Sequence, residues 1–375
     1  MKNKKIKNIV VTSVFAAFIA FFVVMCGFCY MNPQASSDAE RRPLAQFPEE
    51  ITWQGIVDKT VINKFEDYSV DQFPFREFFR GIKARFQLNV LQLKENNGLA
   101  VEDGYIVKIE QDFIDRNVNY SVGKLQTYYD KFAKDNGGNH YVALIPDKNY
   151  FLGKDYGYPS PNYSALTDKV TSALPDMQYI DLFGTLELED YYRTDTHWSQ
   201  DKIGETVNKL ASEMDISDRL SGNYTENRLE GFEGVYYGQS ALKPEPDTLV
   251  YLTNEILDAC TVYDYETKQT LPIYNLERFG GKDGYDLFLS GTKPLLRIDN
   301  PNGPEGETLV VFRDSYGSSI TPLLVEAYET VYVVDIRYID ANVLSLYQMM
   351  KQIDFKDADV LFLYSALVLN SNSFK

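Results

Sequence analysis

The sequence predicts an α/β fold: a parallel sheet with helices on both faces. Three observations carry that prediction. From about residue 119 helical and strand-like segments alternate. The strand-like runs YVALIP (Tyr141 to Pro146), TLVVF (Thr308 to Phe312), VYVVDI (Val331 to Ile336) and DVLFLY (Asp359 to Tyr364) are short and continuously apolar, the signature of strands buried on both faces. The segments between them are long enough for crossover helices, which parallel neighbours require.

Taken in order, the chain begins with Lys2, Lys4, Lys5 and Lys7, followed by an uncharged run from Asn8 to Ser37 whose apolar heart is Ile9 to Met31. At ~1.5 Å per helical residue that heart crosses the ~30 Å hydrocarbon core of a bilayer. The lysines stay on the cytoplasmic side, which puts the rest of the chain outside. A cleaved signal peptide has a shorter core and an A-x-A-like site. A lipoprotein signal has small residues where Val23, Val24 and Met25 precede Cys26. Residues 1–31 are therefore expected to be a cytoplasmic tip and transmembrane anchor of a single-pass cell-membrane protein. Residues 32–50 are a polar, Pro-punctuated linker.

Residues 51–118 read as a helical and hairpin segment packed on the core. Val61, Phe65 and Tyr68 recur at helical spacing. Pro74 opens a helix carrying Phe75, Phe78, Phe79, Ile82 and Phe86 on one side, aromatics expected to pack into a core. Asp103-Gly104 between LAV and YIV signals a hairpin turn.

The α/β domain spans 119–375. Helices are expected at 122–134, 164–174, after THW with Ser199 as N-cap, from Ser319, and at 343–353. MQYIDL (Met177 to Leu182) adds a strand. Residues about 216–300, rich in Tyr, Gly and Asn, break the rhythm and read as an insertion or cap.

Composition narrows the function. The 375 residues carry a net charge of -17, which repels phosphate backbones and argues against nucleic-acid binding. Three Cys, two of them in the apolar run, build no disulfide framework, and no Cys/His spacing fits a metal; neither metal nor cofactor is expected. There are two histidines, His140 and His197, so any imidazole chemistry uses one of them.

Ligands of parallel sheets sit beyond the carboxyl ends of the strands. Ser315, in R-D-S-Y-G, follows TLVVF there, with backbone N–H groups of the next helix facing the same space. A serine hydroxyl needs a base. His140 precedes a strand, at the wrong edge, and reads as structural. His197 lies in T-D-T-H-W, where an extended backbone turns Asp195 and His197 to one side. The carboxylate then fixes the imidazole tautomer. Arg337 ends VYVVDIR and either binds substrate or pairs with Asp335 or Asp340. Tyr236 and Tyr237 line a sugar site or simply pack. Tyr316 is a further candidate at the substrate or oxyanion. Lys148 follows a strand end and reads as solvated or structural.

Tyr191 to Ser199 (Y-Y-R-T-D-T-H-W-S) and Val310 to Gly317 (V-V-F-R-D-S-Y-G) resemble the DHHW family of bacterial surface proteins. That family is similar to the SGNH-hydrolase-like domain of the alginate O-acetylation proteins. The likeness extends to R-P-L-A-Q-F-P near residue 45, D-Q-F-P-F-R near 74, Y-D-L-F-L-S-G near 288 and V-D-I-R-Y near 336. It implies a flavodoxin-like SGNH-hydrolase fold, with Ser315 as nucleophile, His197 as base and Asp195 as third member. It also implies acetyl transfer to, or removal from, a cell-surface polysaccharide. Thr196 replaces the family's middle His, as in the alginate type. Ser290 to Thr292 (S-G-T) stands where G-G-N is expected, so the Asn that the resemblance implies as an oxyanion donor is missing and Thr292 is the candidate at its place.

The expected function is extracytoplasmic O-acetyl transfer through an acyl-enzyme. The alternatives are a carbohydrate esterase with the same triad and a non-catalytic glycan-binding or scaffold module. One span cannot carry acetyl groups across a bilayer, so a multi-span membrane acyltransferase is the expected partner.

Overall fold

The computed structural model describes residues 2–339 and 348–374. It contains two compact units: residues 1–96 with 238–243, and residues 97–237 with 244–375.

In the first unit, α1 (Lys2–Met31) is one uninterrupted apolar helix, followed by α2 (Trp53–Val57), α3 (Thr60–Asp71) and α4 (Arg76–Arg85). The segment after α1 is pinned by charge: Arg42 clasps Asp71 with both terminal nitrogens, at 2.8 and 2.6 Å. The aromatics of α4 depart from expectation. Phe75, Phe78, Phe79, Ile82 and Phe86 are exposed, while Arg76 and Arg80 turn inward onto Glu40. The apolar side chains do share one side, but that side does not pack into a core, and the paired charges occupy the opposite face.

The second unit holds an eight-stranded sheet. The hairpin β1 (Leu99–Glu102) and β2 (Tyr105–Lys108) turns at Asp103-Gly104, as the sequence predicts, with both residues at positive φ. Then come α5 (Asp115–Tyr128), β3 (His140–Ile145), α6 (Lys148–Tyr156), α7 (Tyr163–Ala173), β4 (Gln178–Asp181) and α8 (Gly204–Glu213). Two long strands, β5 (Thr225–Phe232) and β6 (Asp247–Thr253), pair with each other. They are followed by β7 (Thr261–Asp264), β8 (Gln269–Leu271), β9 (Leu295–Asp299), β10 (Thr308–Arg313), α9 (Gly317–Leu324), β11 (Thr330–Val334), β12 (Asp359–Ser365) and α10 (Ala366–Leu369).

The sheet order is β8-β7-β9-β11-β10-β12-β3-β4. The five strands from β11 to β4 are parallel, which is the flavodoxin-like SGNH-type sheet. Strands β9, β7 and β8 extend it antiparallel, so part of the 216–300 segment joins the sheet edge. Strand alternation sorts side chains between two cores. Leu309, Val311, Val331, Val333, Leu361 and Leu363 face one layer, which α8 and α9 cover. Val310, Phe312, Val334, Val360 and Phe362 face the other, covered by α5 and α7.

Ser199 does not cap α8. Its hydroxyl bonds the Asp201 carboxylate in a short 3-10 turn, and α8 begins later, at Gly204. Of the helix expected over 343–353, residues 343–347 lie outside the described residues; 348–350 are helical and 351–353 form a turn.

Candidate active site

Ser315 sits between β10 and α9, at the carboxyl edge of the parallel strands. Asp314 shapes this turn. It is fully buried; Oδ1 accepts the Tyr316 N–H at 3.0 Å, and Oδ2 accepts the N–H and hydroxyl of Ser365, each at 2.7 Å. One carboxylate thus ties the ends of β10 and β12 together. The helix-start N–H groups expected to face an oxyanion are engaged locally. Tyr316 donates to Asp314 Oδ1, Gly317 to the Asp314 carbonyl and Ser318 to the Ser315 carbonyl.

Asp195 and His197 arrive on a loop closed by a bridge between Tyr191 and Trp198 and by the Tyr192 N–H on the His197 carbonyl, 3.0 Å. The loop is bent rather than extended. Asp195 Oδ1 accepts the His197 backbone N–H at 3.0 Å, an aspartate turning onto the chain two residues on. The pair therefore meets through that turn, not through strand alternation. The same oxygen lies 2.6 Å from His197 Nδ1, and His197 Nε2 lies 2.8 Å from Ser315 Oγ. A carboxylate accepts only, so Nδ1 carries the proton and Nε2 is free to accept from the hydroxyl.

Burial pushes the Asp195 carboxyl up, but the His197 charge, the bonds from His197 and the Val235 N–H outweigh it and hold the group well below the usual carboxylate range. The Val235 N–H reaches Asp195 Oδ2 at 2.7 Å. That approach depends on Gly234: a Cβ there would lie 2.4 Å from both the Thr194 carbonyl oxygen and Asp195 Cβ.

Further contacts hold the loop. Asp247 Oδ2 accepts the N–H and hydroxyl of Thr194, each at 2.7 Å. Lys148 donates to the Tyr192 carbonyl at 2.9 Å. The lysine is buried, not solvated, and its role is structural. Burial pushes its ammonium down to about 7 despite the pull of Asp195 and Asp247. The imidazole is held from the side as well. The Tyr285 ring stacks on His197 with centroids 3.8 Å apart and planes within 5°. The Tyr285 hydroxyl shares a 2.7 Å hydrogen bond with Ser319, which also accepts the Trp198 indole N–H at 2.8 Å.

The other candidates fare differently. Arg337 is buried and grips Asp335 through Nε and Nη2, at 2.8 and 2.6 Å, so its guanidinium is engaged in the protein. Tyr316 is buried with its hydroxyl on the Thr196 carbonyl, 2.6 Å, which makes it a brace for the 191–198 loop. Thr292 is exposed ahead of β9, and among the described residues no hydrogen bond joins it to Ser315. Tyr236 is buried under Lys148, and Tyr237 is half-buried beside Glu233. His140 bonds Tyr129 and Asn136, far along β3 from its carboxyl end, as a structural residue does.

Sequence reasoning missed Tyr285, Gly234, Val235 and Asp247. Three of these lie beside residues the sequence singles out: Tyr285 opens Y-D-L-F-L-S-G, and Gly234 and Val235 immediately precede Tyr236 and Tyr237. Nothing local marks Asp247, whose partners are more than fifty residues earlier in the chain.

Fold and site together define an α/β protein with an SGNH-like sheet that holds serine, imidazole and carboxylate in one hydrogen-bonded line. The resemblance to the DHHW family holds: the DHHW protein family matches residues 181–334, which include the His197 and Ser315 segments. A DHHW family protein from Eubacterium siraeum is 22% identical, with a TM-score of 0.59 over 74% of this chain and 94% of that one. Bacillus cereus PatB1, solved with a sulfonyl adduct, is 19% identical, with a TM-score of 0.55 over 74% of this chain and 97% of that one. No protein of curated description matches the sequence.

Proposed function

We propose that this chain is a membrane-anchored, extracytoplasmic O-acetyltransferase that acetylates hydroxyls of a cell-surface polysaccharide through an acyl-Ser315 intermediate. One observation carries the reading: His197 Nε2 stands 2.8 Å from Ser315 Oγ while Asp195 holds Nδ1 at 2.6 Å. That is hydrogen-bonding reach for a nucleophile, its base and the base's orienting carboxylate.

Ser315 Oγ attacks the donor's acetyl carbonyl as its proton passes to His197 Nε2. The tetrahedral intermediate collapses, and the imidazolium returns that proton to the leaving group. His197 then takes the proton of an incoming sugar hydroxyl, whose oxygen attacks the acetyl-serine; the second tetrahedral intermediate collapses to the acetylated sugar, and the imidazolium returns that proton to the departing Ser315 Oγ. Asp195, ionised throughout, stabilises the imidazolium in both halves. The likeness of T-D-T-H-W and R-D-S-Y-G to the alginate O-acetylation proteins favours acetyl as the group and a glycan hydroxyl as acceptor. The helix Ile6–Met31, with mean hydropathy 2.8, supports a single-pass anchor. A multi-span membrane acyltransferase is then the donor's source, since one helix offers no path for acetyl groups.

The test is acetyl transfer by the full chain from an activated acetyl ester, with and without oligosaccharide acceptor, against Ser315→Ala. Acetylated sugar that disappears in the variant, with turnover lower by several orders of magnitude, is the expected result. Free acetate regardless of acceptor would mean an esterase. Equal behaviour of both proteins would leave a binding module.

A further inference from the structure

The first unit has an inverted surface. On α4, Phe78, Phe79 and Ile82 form one apolar stripe, which Phe75 just before the helix and Phe86 just after it extend. This stripe is exposed, with Phe78 at 64% and Phe86 at 50%. The opposite face is the charged one. Arg76 and Arg80, 13% and 15% exposed, meet Glu40 at 2.6 and 3.0 Å, and Arg80 also donates to the Gln239 carbonyl at 2.8 Å. Asp71 takes Arg42 and Arg76. Neighbouring elements add to the apolar surface: Trp53 on α2 is 79% exposed and Val70 on α3 is 64% exposed. Water does not favour a helix that pairs its arginines inward and shows five large apolar side chains outward.

The anchor shows what covers this face. Phe22 packs its ring on Phe73 and Phe79, with centroids 5.8 and 6.4 Å apart, and Phe21 stacks on Phe75 at 6.3 Å. Phe21 and Phe22 lie nine or ten residues before the end of α1 at Met31. At ~1.5 Å per residue this is about 15 Å along the helix, or half of a ~30 Å hydrocarbon core. The α4 stripe therefore continues the anchor's apolar surface at acyl-chain depth. The charges fit the same environment, because arginines are tolerated in a low dielectric when their partners are built in. Arg85, in the last turn, likewise has a partner inside the protein: it donates to the Leu242 carbonyl at 3.1 Å.

We infer that α4, together with the apolar residues of α2 and α3, is immersed in the leaflet next to Met31, so the chain holds the membrane by a re-entrant aromatic face as well as by its span. This inference rests on the anchor reading and is independent of the acetyl-transfer reading.

The test uses the full chain in phosphatidylcholine–phosphatidylglycerol vesicles, with Trp53→Phe and Phe78→Trp combined, and lipids brominated along the acyl chain. The remaining native tryptophan, Trp198, is fully buried in the second unit and serves as an unquenched baseline. The reporter introduced by Phe78→Trp is expected to lose most of its emission to acyl-chain bromines and little to aqueous iodide. Quenching by iodide with indifference to bromolipid would overturn the inference. So would protection from both, which means that protein covers the face. Phe86→Trp is the second reporter should the first variant misfold. Release of the chain from vesicles at alkaline pH would show that the anchor reading itself had failed, whatever the reporter does.

Discussion

At the scale of single residues, the site depends on how well the imidazole is aimed. Asp195 fixes the His197 tautomer from below, and Tyr285 fixes the ring plane from the side. The Tyr285 hydroxyl is linked to Ser319, not to His197, and burial keeps it protonated by raising its pKa well above the ordinary phenol value. Stacking and hydrogen bonding are thus separable. Tyr285→Phe retains the stack and is expected to keep turnover within a few-fold of wild type. Tyr285→Leu removes it, freeing the ring to tilt off the Ser315 line. A displacement of ~1 Å costs on the order of 100-fold in rate, so kcat of the two variants for acetyl-ester turnover checks this. Equal losses in both would assign the effect to the hydroxyl instead.

At the scale of elements, the 191–198 loop is shaped by what surrounds it more than by its own sequence. Gly234 and Val235 come forty residues later and reach Asp195 and Thr194 only because residue 234 lacks a side chain. Gly234→Ala would press a methyl group against backbone on two sides and withdraw the Val235 N–H from Asp195. The expected outcome is a stability loss of about 1–3 kcal/mol, typical of overpacking, together with a fall in kcat. Thermal unfolding and turnover of one preparation measure both. Unchanged kcat would show that the Val235 contact does not orient Asp195.

At the scale of the molecule, two buried groups at the end of β3 give stability a pH dependence. Burial pushes Asp147 up to about 6 from its ordinary 3.8, against the hydrogen bonds from Tyr163 and the Asn149 N–H. Its folded form holds a proton that the unfolded chain releases, so its contribution to stability falls as pH rises from about 4 through 6. Lys148, pushed down to about 7 from 10.5, acts oppositely: its contribution grows as pH rises from about 7 toward 10.5. Asp147→Asn is expected to remove the acid-side decline, worth about 2–3 kcal/mol across that window at ~1.4 kcal/mol per unit. Unfolding free energies of wild type and variant between pH 4 and 7 test this. Parallel curves would show that Asp147 titrates normally in the fold.

The chain's own order of residues was enough to determine the parallel strands, because Tyr141 to Ile145, Thr308 to Phe312 and Asp359 to Tyr364 are too apolar and too short to be anything but doubly buried strands. It also brought out Asp195, His197 and Ser315: two histidines left few bases to choose from, and short motifs mark the serine and the D-x-H pair. Other features arise only when distant segments meet. The Tyr285 stack, the Gly234 approach and the Asp247 clamp join positions tens of residues apart, and no periodicity records such pairings. The antiparallel extension by β7, β8 and β9 is of the same kind: a run such as CTVYDY is legible as a strand, but the sheet it joins and the direction it runs are set by its partners. Arg337 and Tyr316 looked available for substrate because a sequence shows side chains without their partners. Folding supplied Asp335 and the Thr196 carbonyl. The α4 stripe was legible as a stripe, but which side faces outward was decided by where Glu40 and Asp71 stand, a matter of tertiary charge pairing that helical spacing alone does not encode.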